Sequence, residues 1–254
     1  MLYLGNIFLT LADMAYDFFP SKIVDIVDEA PNVKRFFIQV GEEPVFHFKP
    51  GQFVMLDLPL DSKIKTRSYS IASPPNGSNV IELIIVLKED GLGTNYLFTK
   101  NTIKIGSELK VSKAIGKFTL PETLESNLCF ICTGTGIAPF RSQLNYLFNH
   151  NLHNPNFNIH LIFGCRWEKD ILYRKEFEKF EAICPCFSYH PVLSREPNWD
   201  GYKGYVHQVY EELYSDGKPA QFYLCGWKEM IMQAKDKLLG FGYEKSAIRF
   251  ELYD

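Results

Sequence analysis

Apolar residues recur along the chain in two rhythms. Between Ser21 and about Leu120 they fall in short runs: Lys22–Val27, Arg35–Val40, Gln52–Leu58, Val80–Leu87 and Glu108–Val111. Turn-forming residues separate these runs at Pro50-Gly51 and across Pro74-Pro75-Asn76-Gly77. Short strands punctuated in this way predict an antiparallel β-barrel. One short helix is predicted near Thr94–Thr99. The rhythm changes near Pro121. Continuous apolar runs at Asn127–Thr133, Asn158–Gly164, Phe187–Leu193, Gln221–Cys225 and Ile248–Leu252 now alternate with helical patterns. The helices are predicted over Ala138–Asn149, Ile171–Ile183, Tyr205–Leu213 and Lys228–Leu239. Buried strands alternating with helices predict a doubly wound α/β fold on a parallel sheet. Two domains are therefore expected: a barrel over residues 21–120 and an α/β domain over 121–254, after an N-terminal extension of residues 1–20. Met1–Phe19 is apolar but holds Asp13 and Asp17 and no Lys or Arg. That pattern suits neither a signal peptide nor a membrane span, and it fits a short amphipathic helix that packs on the body, on a partner or on a membrane surface, the first being favoured.

Composition narrows the function. The 254 residues are 46% hydrophobic and 22% charged, a globular balance. Lys plus Arg is 27 against 30 Asp plus Glu, a net charge of −3, which argues against a nucleic-acid partner. Lys104, Lys110, Lys113 and Lys117 form a local positive run against only Glu108. It reads as a solvated strand edge, or as a contact for phosphate or an acidic partner. Six cysteines include the pairs Cys129-x-x-Cys132 and Cys184-x-Cys186. Neither pair is followed by Cys or His at zinc-site separations, and the spacing for an iron–sulfur cluster is absent. Buried free thiols, no metal and a reducing, cytoplasmic setting are expected.

Four segments carry candidate chemistry. Arg67-Ser68-Tyr69-Ser70 ends a strand and offers a guanidinium fork, a flat ring and a small hydroxyl, a set that suits a phosphate-bearing aromatic cofactor. Gly91-Leu92-Gly93-Thr94 opens the short helix, either as a plain turn with Thr94 as cap or as a phosphate contact. Thr133-Gly134-Thr135-Gly136-Ile137-Ala138-Pro139 joins the first parallel strand to its helix, where open α/β sheets bind nucleotides. Tyr223-Leu224-Cys225-Gly226 ends another parallel strand and brings a thiol to the same edge.

Taken in order, these segments resemble the ferredoxin–NADP reductase superfamily, and within it the plant-type ferredoxin–NADP reductases. The resemblance spans about residues 21–254 and extends to Tyr69-Ser70-Ile71-Ala72-Ser73, Leu172–Glu178, Ser194-Arg195-Glu196 and Glu251-Leu252-Tyr253. It implies an FAD-binding barrel and an NAD(P)-binding α/β domain. Arg67 and the backbone at Gly93 and Thr94 would bind the FAD pyrophosphate, Tyr69 would pack on the isoalloxazine, and Ser70 would sit near flavin N5. Gly134, Thr135 and Gly136 would face the diphosphate of the pyridine nucleotide. Cys225 and Glu251 would border the site of hydride transfer, and Tyr253 would cover the flavin and move aside as a gate. The implied activity moves electrons between NAD(P)H and a one-electron carrier, ferredoxin or flavodoxin-like, by hydride exchange with the flavin. A monomer is expected.

Ser194, Arg195, Lys203 and Tyr205, with Arg166, resemble a pocket for the 2′-phosphate of NADPH. Similar segments occur in NADH-using oxygenase reductases, and Glu168 is a poor phosphate neighbour, so NADH remains an alternative. Two departures from the plant pattern are the short loop at Lys88–Asp90 and Asp254 after the terminal tyrosine. The alternative functions are the NADH-dependent reductase component of an oxygenase and a non-catalytic flavoprotein subunit. Intact Gly134-Thr135-Gly136 and Cys225-Gly226 weigh against the last.

Overall fold

The computed structural model describes residues 17–63, 65–99 and 102–253. Six strands form the first sheet: β1 (Phe18–Ala30), β2 (Val33–Val40), β3 (Phe53–Asp57), β4 (Thr66–Ser70), β5 (Val80–Val86) and β6 (Glu108–Ser112). Their order is β4-β3-β6-β1-β2-β5, with antiparallel neighbours throughout. An Ile71–Leu83 bridge brings the two outer strands together and closes the barrel. Helix α1 (Leu92–Phe98) lies between β5 and β6. Ile23, Phe36, Ile38, Val54, Leu56, Ile81, Leu83 and Val111 fill the interior.

The N-terminal expectation needs adjustment where it can be seen. Strand β1 starts at Phe18, and Phe18, Phe19 and Pro20 pair with Ser112, Val111 and Lys110. The barrel thus begins inside the span read as an extension. The rest of the amphipathic helix expected for Met1–Phe19 lies outside the described residues.

The second sheet is parallel, ordered β10-β9-β8-β7-β11-β12. Its elements are β7 (Asn127–Thr133), α2 (Ala138–Asn149), β8 (Ile159–Cys165), α3 (Arg174–Ile183), β9 (Phe187–Leu193), β10 (Tyr202–Lys203), α4 (His207–Tyr214), β11 (Ala220–Gly226), α5 (Lys228–Gly240) and β12 (Ile248–Leu252). Side chains of β7 alternate between the two faces. Leu128, Phe130 and Cys132 enter one core with α2 and α3, while Cys129 and Ile131 enter another with α4 and α5. Burial on both faces explains the unbroken apolar run. Helix α3 starts at Arg174, three residues later than predicted, because Tyr173 adopts a left-handed conformation at φ 54°.

A buried ionic network joins the two sheets. Glu82 of β5 is 3% exposed and accepts from Arg35 Nε at 2.6 Å, Arg141 Nη1 at 2.8 Å and Tyr173 Oη at 2.7 Å. Arg141, on α2, also donates to Glu176 at 3.0 Å and to the Ala72 carbonyl at 3.1 Å. Its guanidinium lies 4.3 Å from the centre of the Tyr173 ring. Burial alone would raise the Glu82 carboxyl. The Arg35 hydrogen bond and the two guanidinium charges outweigh burial and hold it below its usual value. Ser142 Oγ adds a bond to the Ser73 carbonyl at 2.7 Å.

Candidate active site

The α/β sheet presents its carboxyl edge to the barrel. On that edge Cys225 of β11 stands in register between Cys132 of β7 and Glu251 of β12. Strands that diverge from this point, β8 to one side and β11 to the other, form a switch point where such sheets open a crevice. Two glycines let the strand ends meet closely. A Cβ on Gly136 would lie 2.5 Å from the Cys225 carbonyl oxygen, and one on Gly226 would lie 2.5 Å from Thr133 Oγ1. The Thr133 hydroxyl accepts the Trp227 N–H at 3.2 Å. Gly134, at φ 52°, has nothing within 4 Å of its Cβ position. The turn Gly134–Ile137 is a 3-10 turn feeding α2, with Pro139 in the first helical turn.

Ser70 ends β4 and crosses to the other sheet. Its hydroxyl donates to Glu251 Oε2 at 3.5 Å, a long contact. Burial pushes the Glu251 carboxyl up to about 7, with the Ser70 bond acting the other way. Tyr253 is anchored by its N–H on the Gly226 carbonyl at 2.9 Å. Its hydroxyl is buried beside Ser70 and Cys225 and completes no well-formed hydrogen bond among the described residues. Burial, reinforced by the Cys225 thiol, pushes the Tyr253 phenol up, and burial beside Glu251 pushes the Cys225 thiol up. The cluster is a hydroxyl, a thiol, a phenol and a carboxyl raised to about 7, with no activated nucleophile.

The barrel side holds the remaining predicted cofactor residues. The Arg67 stem covers Gly93, where a Cβ would come within 2.9 Å of Arg67 Cγ. Arg67 Nη1 donates to the Thr66 carbonyl at 2.8 Å. Tyr69 packs partly on the barrel core, and burial pushes its phenol up to about 12 against the charge of Arg67. Thr94 is not the helix cap, since Gly91 holds that position. Thr94 Oγ1 instead bonds to the backbone of Lys88 and Gly91 at 3.1 Å.

A third group gathers beyond β8 and β9. The Arg195 N–H donates to the Arg166 carbonyl at 2.9 Å, and Ser194 Oγ donates to the Cys165 carbonyl at 3.3 Å. Arg166 and Arg195 are exposed and form no ion pair among the described residues. Lys203 Nζ reaches the Pro197 carbonyl at 3.0 Å, and Tyr205 is 72% exposed. Glu168 is held by Arg174 at 2.5 Å, which offsets its charge.

Sequence reasoning missed the Glu82–Arg141–Tyr173 network. Arg141 lies two residues past the Thr133–Pro139 segment and Tyr173 within Leu172–Glu178, but their shared partner is 59 and 91 residues away. An arginine on the buried face of a helix was the available signal.

A barrel with Arg67 and Tyr69 on one side, and a parallel sheet with open glycine turns on the other, define a flavin-dependent pyridine-nucleotide oxidoreductase. Residues 20–120 match the oxidoreductase FAD-binding domain, and residues 130–236 match the oxidoreductase NAD-binding domain. The chain is 31% identical over 244 residues to ferredoxin–NADP reductase B of Sorangium cellulosum, covering 93% of this chain and 98% of that one. It belongs to the ferredoxin–NADP reductase family. It is also 29% identical over 236 residues to the glycine betaine monooxygenase reductase subunit of Pseudomonas aeruginosa, covering 91% of this chain but 63% of that protein. Among solved structures, a ferredoxin–NADP+ reductase from Neisseria gonorrhoeae with bound FAD and NADP superposes with a TM-score of 0.77 at 25% identity, covering 92% of this chain and 98% of that one. No helix among the described residues is long and apolar enough to cross a membrane.

Proposed function

We propose that the protein moves electrons between NADPH and a ferredoxin or flavodoxin-like carrier, as a cytoplasmic monomer. One observation carries this reading: Ser70 of the barrel and Cys225, Glu251 and Tyr253 of the α/β sheet converge where the two sheets meet. The residues fit FAD and a pyridine nucleotide. Gly93 lies under Arg67, and Gly134 keeps an open left-handed turn where a diphosphate needs backbone N–H groups. When bound, FAD accepts a hydride from nicotinamide and releases electrons singly to a carrier.

The chain supplies placement and protons. Arg67, with the backbone at Gly93 and Thr94, holds the flavin pyrophosphate, and Tyr69 supports the ring. Gly134, Thr135 and Gly136 hold the nucleotide diphosphate. Ser70 Oγ offers a hydrogen bond, and Glu251, poised near neutrality, holds or releases a proton at Oε2 behind it. Cys225 borders the nicotinamide position as a neutral thiol. Tyr253 fills the crevice against water and must swing out to admit nicotinamide. Ser194, Arg195, Arg166, Lys203 and Tyr205 receive the 2′-phosphate, because two exposed guanidinium groups without ion-pair partners among the described residues suit a dianion.

A second reading, the reductase component of an oxygenase using NADH, is favoured by the similarity to the glycine betaine monooxygenase reductase subunit. Steady-state reduction of an artificial acceptor by the FAD-loaded protein separates the two. A higher kcat/KM with NADPH supports the first reading, and a higher one with NADH supports the second. A protein that takes up no FAD refutes both.

A further inference from the structure

We propose that His153, Cys184 and Cys186 form a binding site for a thiophilic divalent cation, with Zn2+ the ion they suit. The ligand atoms of these three side chains all lie within 4.8 Å of one another. Cys184 and Cys186 are 5% and 8% exposed, and their sulfurs stand 2.9 Å apart. His153 comes from a different segment, the loop between α2 and β8. A search for a Cys/His pair downstream of Cys186 cannot find it, because it precedes the cysteines by about thirty residues in sequence and joins them only through the fold.

The scaffold is already in place. The Cys184 N–H donates to the Phe180 carbonyl at 2.9 Å, and the Cys184 and Cys186 carbonyls accept from Phe187 and Ile159 at 3.0 and 2.7 Å. Pro185 between them fixes one backbone dihedral. The His153 ring packs on Phe148 at 5.4 Å, and its Nδ1 is buried with no hydrogen-bond partner among the described residues. The His153 side chain is only partly buried and several other buried polar atoms also lack a partner among the described residues, but this nitrogen belongs to a ring whose ligand atom lies within reach of two thiols. A metal, with the second nitrogen free for an outer partner, accounts for it.

Charge selects the ion. The surrounding Phe148, Phe180 and Phe187 offer no compensating charge. Binding releases two thiol protons to solvent and forms two sulfur–metal bonds and one nitrogen–metal bond. Two thiolates and a neutral imidazole around a dication sum to zero, whereas a monocation leaves a buried negative charge. Soft sulfur and imidazole donors in a four-coordinate arrangement suit Zn2+, with water as the fourth ligand. Thiolates on one zinc at about 2.3 Å stand roughly 3.8 Å apart, so the sulfurs open by about 1 Å on binding, which side-chain rotation provides. The site lies at the amino edge of β8 and β9, opposite the edge that carries Cys225. The ion would clip two loops together and take no part in the redox reaction.

The test titrates the reduced, FAD-loaded protein with Zn2+ against a chromophoric chelator, and with Co2+ as an optical probe. One equivalent should bind, Co2+ should show tetrahedral thiolate absorption, and the melting temperature should rise with free Zn2+. Outer partners of a metal site alone are worth about 10–100-fold, so His153→Gln and Cys184→Ser should each weaken binding by about 100-fold or more. Acceptor reduction by the His153→Gln protein should match the parent, which shows that its fold is intact. The proposal is overturned by the absence of a stoichiometric site, by binding undiminished in both variants, or by a Cys184–Cys186 disulfide whose reduced form takes up no Zn2+.

Discussion

Cys225, Tyr253 and Ser70 meet around a carboxyl that burial raises to about 7, so protonation at this cluster responds to pH near neutrality. In the FAD-free protein Glu251 keeps its proton between about pH 4.5 and 7, where the unfolded chain has lost it. The native state binds more protons in that window, so this group makes stability fall as pH rises through it. Urea melts at several pH values should show that slope in the parent and a flatter one in Glu251→Gln. Burial pushes the Cys225 thiol up, so in the proposed mechanism it would act by shape and contact as a neutral thiol. Cys225→Ala should retain FAD and slow anaerobic reduction by NADPH by about tenfold, roughly 1.4 kcal/mol of barrier. An unchanged stopped-flow rate would remove it from the site. Arg195→Ala should raise the KM for NADPH much more than that for NADH, because the 2′-phosphate is the only charge that differs between them. Equal effects on both would dissolve the proposed phosphate pocket.

The barrel and the α/β sheet are held in register by β5, α2 and the turn before α3. Arg141 serves three acceptors at once, on Glu82, Glu176 and Ala72, a fork that an ammonium cannot reproduce. Arg141→Lys should therefore lower stability by about 2 kcal/mol, and Glu82→Gln by about 3 or more, since it leaves two guanidinium groups facing an uncharged partner. Thermal melts of both variants read this directly; unchanged melting would mean that the network is idle. The elements flanking it differ in how legible they are. Strands β7, β9 and β12 and helix α2 can be read to the residue; for β7 and α2 the reason is an unbroken apolar run that stops at the Gly134–Gly136 turn. The start of α3 cannot, because the left-handed Tyr173 is held by Glu29 and Glu82 through contacts 144 and 91 residues long. The start of β1 is hidden by Pro20, which breaks a strand pattern but is tolerated opposite Lys110. For the same reason Ser70, Cys225, Glu251 and Tyr253 are legible as a group only through the ordered motifs. No local pattern says that residue 70 and residue 251 touch.

At the scale of the molecule, a net charge of −3 coexists with a run of exposed lysines on the barrel. Lys104, Lys110, Lys113 and Lys117 are all exposed. Lys113 is tied to Asp17 at 3.0 Å, but both side chains are largely solvated, so that pair is weak. The segment bearing Lys113 and Lys117 adjoins the crevice, because Ile115 bridges Phe53, and Phe53 pairs with Ser70 on its other side. Glu108 lies within the run and Asp57 pairs with Lys110, but the lysines outnumber these carboxylates, and such a local excess would steer an acidic carrier toward the site, an effect that reaches about 10–1000-fold in association rate and fades as salt rises. The double variant Lys110→Glu, Lys117→Glu should lower kcat/KM for an acidic ferredoxin at low ionic strength by about tenfold or more. Reduction of a small uncharged acceptor by the same protein should not change, since neither lysine touches Ser70, Cys225, Glu251 or Tyr253. The loss should shrink as salt screens the field. A loss independent of salt would point to a local distortion of β6, and equal rates with the carrier would leave the lysines as edge protection for that strand.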